Sequence, residues 1–216
     1  MNEFNMRFTF LIAVLLICQF GTCQTKEIYT NSDFANLSKD HKILSVLPFK
    51  AIVKLRPKQM QSMSPEEITR LQHDEGMAVQ SALESYFLKH KQETNISFQP
   101  IMTTNALLGR NNINENNIDN YTPQELCDLL EVDGLISGIL STEKPMSEGA
   151  SLALGLLVGF YGATNSGKCT INTYDGKTGE LLWKYEKTLS RSLGSSTSQV
   201  VNAMMRKASR KFPYAK

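Results

Sequence analysis

Apolar and polar positions along this chain recur with two different periods, and the changes of period mark its elements. Gly134 to Thr142 is rich in isoleucine and leucine and reads as a strong strand. Lys168 to Tyr174 alternates: Cys169, Ile171 and Thr173 fall on one face, Thr170, Asn172 and Tyr174 on the other. Glu180 to Thr188 pairs back onto it. Between them Asp175-Gly176-Lys177-Thr178-Gly179 supplies two glycines for a tight connection, which predicts a hairpin. Lys42 to Val53 reads as a further strand whose pairing is lost on one side at Pro48, which has no N–H. Residues 96–101 alternate like a strand.

The other segments carry a helical period. Ser64-Pro65-Glu66-Glu67 is a helix start, with Ser64 as cap and Glu67 placed to close a capping box. The helix is expected to run to about Lys89 and to bury Ile68, Leu71, Met77, Val79, Ala82, Leu83, Tyr86 and Phe87. A short helix follows from Thr104 to Arg110. Thr122-Pro123-Gln124-Glu125 repeats the start signal for a helix ending near Glu131. Ser195 to Phe212 is the last helix, with Val200, Val201, Met204 and Ala208 on its apolar face and a basic C-terminal end that suits the helix dipole. The asparagine-rich residues 111–120 predict an exposed loop. The expected fold is α/β (α+β): a two-layer or three-layer sandwich with a small mixed β-sheet, a C-terminal β-hairpin and flanking helices.

Residues 1–23 have the pattern of a secretory signal peptide. Arg7 leads an apolar run, Phe8 to Cys18, that is too short to cross a bilayer as a helix, and Gly21-Thr22-Cys23 follows. Cleavage after Cys23 leaves Gln24 first; lipidation of Cys23 is the alternative. Either way the chain is expected to be exported, to a periplasmic or outer-membrane-associated location. Residues 24–41 are polar and read as an extended leader, and residues 42–216 as one domain. Export leaves Cys127 and Cys169, either as one disulfide or as two buried free thiols, and the free thiols are the expectation.

Composition adds little chemistry. The net charge is +2 and gives no electrostatic case for nucleic acid. His41 and His73 sit among charges, and no metal-ligand spacing stands out. Asp133 and Asp175 lie at strand starts and turns, where Asp is ordinary. Gly162 to Cys169 approaches a phosphate-binding loop. However, Cys169 stands where a magnesium-binding hydroxyl is needed, and a strand pattern follows where a helix is needed. No cofactor and no catalytic group are expected. Residues 149–163 are uncharged, with Leu152, Leu154, Leu156, Leu157, Val158, Phe160 and Tyr161. This segment is either core or a contact surface for a membrane or a partner chain, and the contact reading is favoured.

Val46-Leu47-Pro48-Phe49, Val132-Asp133-Gly134-Leu135-Ile136-Ser137-Gly138, and Asp175 with Thr178-Gly179-Glu180-Leu181-Leu182-Trp183 resemble bacterial envelope lipoproteins of the CsgG/LpoB-like group. The resemblance covers most of residues 42–212. It implies a non-enzymatic envelope protein working through contacts, with homo-oligomers possible, and places an insertion after the Asp133 strand. Here that insertion lacks the alternation of a membrane β-hairpin. Three functions follow: an envelope accessory protein, which is favoured, an oligomeric pore-forming secretion subunit, and a nucleotide-binding enzyme using Gly162–Lys168.

Overall fold

The computed structural model describes residues 26–54, 60–61, 63–142, 167–189, 205, 208 and 212–214. In chain order the elements are β1 (Lys26–Thr30), α1 (Phe34–Leu37), β2 (Ile43–Val46), β3 (Lys50–Val53), α2 (Pro65–Lys89), β4 (Ser97–Phe98), α3 (Ile101–Arg110), α4 (Pro123–Leu130), β5 (Gly134–Thr142), β6 (Gly167–Asp175) and β7 (Leu181–Leu189). The strands form one mixed sheet in the order β1-β7-β6-β5-β2-β4, with β3 also on β5. The α+β sandwich is therefore the observed class.

β5 is the strand all others refer to. It runs antiparallel to β6 over nine residue pairs, from Gly134↔Asp175 to Thr142↔Gly167. Its other side takes β2 in parallel at its start and β3 in parallel towards its end. The single strand expected over Lys42–Val53 is thus two. The register explains why: Val46 faces Ile136 and Lys50 faces Ile139, so four steps on one side match three on the other. The extra residue is a bulge at Leu47-Pro48-Phe49, where a ring without an N–H is tolerated.

Neighbouring residues of β5 point to opposite faces. Ile136 joins a core of Phe49, Val79, Leu83, Phe87, Trp183 and Tyr185 under α2, closed by Met205, Phe212 and Tyr214 of the C-terminal segment. Leu135 joins a second core with Leu108 of α3 and Leu126 and Leu130 of α4. Helices therefore cover both faces of the sheet. Cys127 lies in the second core and Cys169 in the first, so the sheet separates them, and both are free buried thiols.

The capping boxes at Ser64–Glu67 and Thr122–Glu125 are both formed. α2 buries polar side chains that its period did not suggest. Gln80 donates to Val46 O at 2.7 Å and exchanges amide hydrogen bonds with Asn105. Met77 and Ile68 are only half-buried. α3 starts at Ile101, three residues before the expected Thr104. The asparagine-rich loop buries Ile113 and holds a short 3-10 turn at Ile118–Asn120. Of the last helix, Met205 and Ala208 are described, both helical and buried; Val200, Val201 and Met204 lie outside the described residues. Lys26–Thr30, inside the segment expected to be an extended leader, is a sheet strand paired along its length with β7.

Two glycines test this packing. A Cβ on Gly76 would lie 2.0 Å from Phe49 O, so α2 can approach the bulge only through a glycine. A Cβ on Gly109, in α3, meets nothing within 4 Å. Gly76→Ala is expected to destabilise the fold by about 1–3 kcal/mol through overpacking. Gly109→Ala should stabilise it by about 0.5–1 kcal/mol through helix propensity. Urea unfolding of the two variants against the parent checks both signs.

Candidate functional site

The expected contact residues Leu152, Leu154, Leu156, Leu157, Val158, Phe160 and Tyr161 lie outside the described residues, as does Cys23. The structure does place the roots of that segment: Thr142 and Gly167 are paired partners at one end of the sheet. Of the near-phosphate loop, Gly167 and Lys168 open β6, a strand and not a helix. Lys168 Nζ pairs with Glu186 at 2.6 Å on the solvent side.

The chemistry-bearing residues that the fold does bring together sit at the opposite end. There the β6–β7 turn meets the loop before β2, the end of α4 and the C-terminal tail. The turn is built on Asp175. Its Oδ2 accepts the N–H of Thr178 at 2.6 Å and the Thr178 hydroxyl at 2.7 Å, and its backbone carbonyl accepts from Gly179 N–H at 3.0 Å. Gly179 has φ +72, a conformation that favours glycine, and Gln124 from α4 occupies the space a side chain there would need. Gln124 donates to Thr178 O at 2.7 Å. Gly176 lets the turn press on α4, since a Cβ would stand 3.0 Å from Cys127 Sγ.

Asp133 holds the neighbouring entry to β2. Its Oδ2 accepts the backbone N–H groups of Lys42 at 2.7 Å and Ile43 at 2.9 Å. This places His41 over Asp175. His41 Nε2 lies 2.8 Å from Asp175 Oδ1, and Nδ1 lies 2.7 Å from Tyr214 Oη. The His41 side chain is 4% exposed and that of Asp175 1%. Because a carboxylate can only accept, Nε2 carries the proton in that bond; in the neutral ring Nδ1 then accepts the Tyr214 hydroxyl. Tyr214 packs edge-on to Phe34 of α1 with centroids 5.0 Å apart. One chain of contacts therefore joins the N-terminal segment, the hairpin turn and the C-terminal tail.

The electrostatics fit a structural fastener. Burial opposes ionisation of Asp175, but the hydroxyl and N–H of Thr178, with His41, outweigh it and hold its pKa below the usual carboxylate value. Burial, then Asp175 and Asp133, pushes the Tyr214 phenol up, so it stays a neutral donor. Burial pushes the Cys127 thiol up to about 12, with Asp175, Asp128 and Asp133 adding to it. A thiol so held is a poor nucleophile. Both ring nitrogens of His41 are occupied by Asp175 and Tyr214, and a cleft of about 340 Å³ lies beside it, lined by Asp40, His41, Gln124, Cys127, Asp128, Asp133 and Lys177. Among the described residues no group of three or more His, Cys, Asp or Glu could hold a metal ion.

Sequence reasoning passed over these residues. His41 stands between Asp40 and Lys42 and looks like a surface residue. The one available signal was Asp175 three residues before Thr178, the spacing of a side-chain-closed turn. Replacing His41 by Ala strips Asp175 and Tyr214 of a buried partner and is expected to destabilise by about 2–4 kcal/mol, summed from two lost contacts. Because the folded pKa of Asp175 is depressed, its ionised contacts stabilise fully above the ordinary 3.8 and the gain is lost as pH falls through the lower folded value. The stability difference between the parent and Asp175→Asn should therefore shrink on acidification below about pH 4. Urea unfolding at each pH measures it.

No family profile matches the chain, and no curated protein does. Solved structures do match at low identity. The lipoprotein GNA1162 of Neisseria meningitidis is 11% identical, over 79% of this chain and 98% of that one, with a TM-score of 0.43. The PelC dodecamer of Paraburkholderia phytofirmans is 12% identical, over 85% and 93%, with a TM-score of 0.34. The C-terminal domain of LpoB from Salmonella enterica is 8% identical, over 73% and 92%, with a TM-score of 0.35.

Proposed function

We propose that this chain is an exported cell-envelope accessory protein that acts through protein or membrane contacts and carries out no chemistry of its own. One observation carries the reading. The buried polar groups of the fold's most reactive-looking corner, His41, Asp175, Tyr214 and Cys127, are all committed to holding segments together. What remains for function is surface.

The contact surface in this reading is the uncharged segment 149–163, with Leu152, Leu154, Leu156, Leu157, Val158, Phe160 and Tyr161 as its anchors. Its support is placement: both ends of residues 143–166 are fixed at the paired residues Thr142 and Gly167, so the segment leaves and re-enters at one point of the sheet. Export rests on the Arg7-led apolar run before Cys23. Among the described residues no helix is long and apolar enough to cross a membrane.

Leu156→Asp is expected to leave the melting temperature of the purified protein unchanged and to weaken its association with envelope extract or membranes. A sharp fall in melting temperature with association intact in the folded fraction would place Leu156 in the core and reject the surface. The nucleotide alternative predicts an ATP affinity that Lys168→Ala abolishes. We expect no such affinity in a binding titration, and a stability change below about 1 kcal/mol from the lost exposed ion pair.

A further inference from the structure

We infer that Asn95 is a carbohydrate attachment site, the acceptor of an N-linked glycan added to the exported chain. This rests on the export in the reading above. The acceptor motif is Asn-x-Ser/Thr with any residue but proline between. It occurs three times in the chain: Asn36-Leu37-Ser38, Asn95-Ile96-Ser97 and Asn120-Tyr121-Thr122. So short a motif recurs by chance, and the surroundings of each copy distinguish them.

The transfer sets the requirements. The side-chain Nδ2 displaces a lipid pyrophosphate from the anomeric carbon of an activated oligosaccharide. The C1–O bond breaks, the Nδ2–C1 bond forms, one amide proton is released, and the pyrophosphate leaves with the bonding pair. The amide and the motif's hydroxyl must both be within reach, and the folded surface must leave room for the sugar.

Two copies fail. Asn36 lies in α1, where its Nδ2 donates to Asp33 Oδ1 and the Ser38 hydroxyl donates to Phe34 O at 2.7 Å. At Asn120 the hydroxyl is committed. Thr122 Oγ1 accepts the N–H of Glu125 at 3.2 Å and donates to Glu125 Oε2 at 2.9 Å, in the capping box that starts α4.

Asn95 meets each requirement. It is exposed in a bend between the short 3-10 turn Lys91–Glu93 and β4. Neither its amide nor the exposed hydroxyl of Ser97 hydrogen-bonds to a described residue. Ile96 between them is buried and holds the motif against the core, so its outer positions face solvent. The position also has a use. Among the described residues β4 is the outermost strand on its side of the sheet, and an open edge invites pairing with another chain. A glycan two residues before Ser97 stands in the way of that approach.

The test is mass spectrometry of tryptic peptides from the full-length protein, purified from the cells that produce it. Gln92–Arg110 contains Asn95 and neither other motif. This peptide should carry a carbohydrate mass, lost in Asn95→Gln and Ser97→Ala and kept in Ser97→Thr, while the peptides with Asn36 and Asn120 stay bare. A bare Gln92–Arg110 peptide in an exported protein overturns the inference and leaves the export reading standing. Sugar on Asn36 or Asn120 in place of Asn95 overturns it as well. A chain kept in the cytoplasm overturns both.

Discussion

A carboxylate that is 1% exposed sets the terms for one whole end of this molecule. Left alone, such a group would lose its charge, since burial penalises the ionised form by several kcal/mol. Asp175 stays ionised because donors from separate parts of the chain converge on it. Thr178 gives two hydrogen bonds from within the turn, and His41 gives one from the segment before β2. Each donor then fixes whatever it is attached to. His41 is aimed at Asp175 because Asp133 holds the next two backbone amides. Its second nitrogen ties down Tyr214. Satisfying one buried charge in this way determines the turn, the entry to β2 and the docking of the tail.

The elements that were legible in the sequence are those specified within a few residues. Both capping boxes were readable from Ser64 and Thr122 with a Glu three residues on, because cap and partner are neighbours in the chain. β5 matched its expected bounds because most of its positions are buried and Leu135, Ile136, Ile139 and Leu140 give it the composition of a strand. What was not legible is specified at long range. β1 has a single inward-facing apolar residue, Ile28, and its hydrogen bonds come from β7, some 150 residues later in the chain. The bulge at Leu47–Phe49 exists because β5 is shared by β2 and β3, which no local pattern records.

The same distinction explains the site. Gly176 and Gly179 were readable as turn residues, but the reason each must be glycine is the approach of α4, through Cys127 and Gln124. His41 is flanked by Asp40 and Lys42, both partly or fully exposed, so its neighbours in sequence describe a surface while its neighbours in space are Asp175, Tyr214 and the Gly134 backbone. The cysteines are the opposite case. Their burial as free thiols was expected from residue type alone, and the sheet between them supplies the geometric reason.

The Asp175 network closes one end of the β5–β6 ladder, while the other end is spanned by residues 143–166. Joining two paired strands through a connection of that length in place of a tight turn costs only about 1.5 kcal/mol more in chain entropy, because closure entropy grows with the logarithm of length. Nine residue pairs in register hold β5 against β6 whatever lies beyond Thr142. The sheet therefore places little demand on the composition of the connecting segment. A surface loop under no other constraint would be expected to be polar. That residues 149–163 instead carry seven large apolar side chains and no charge needs a cause other than closing the ladder. Burial against the rest of the fold would supply one, and so would the apolar partner or membrane of the proposed function.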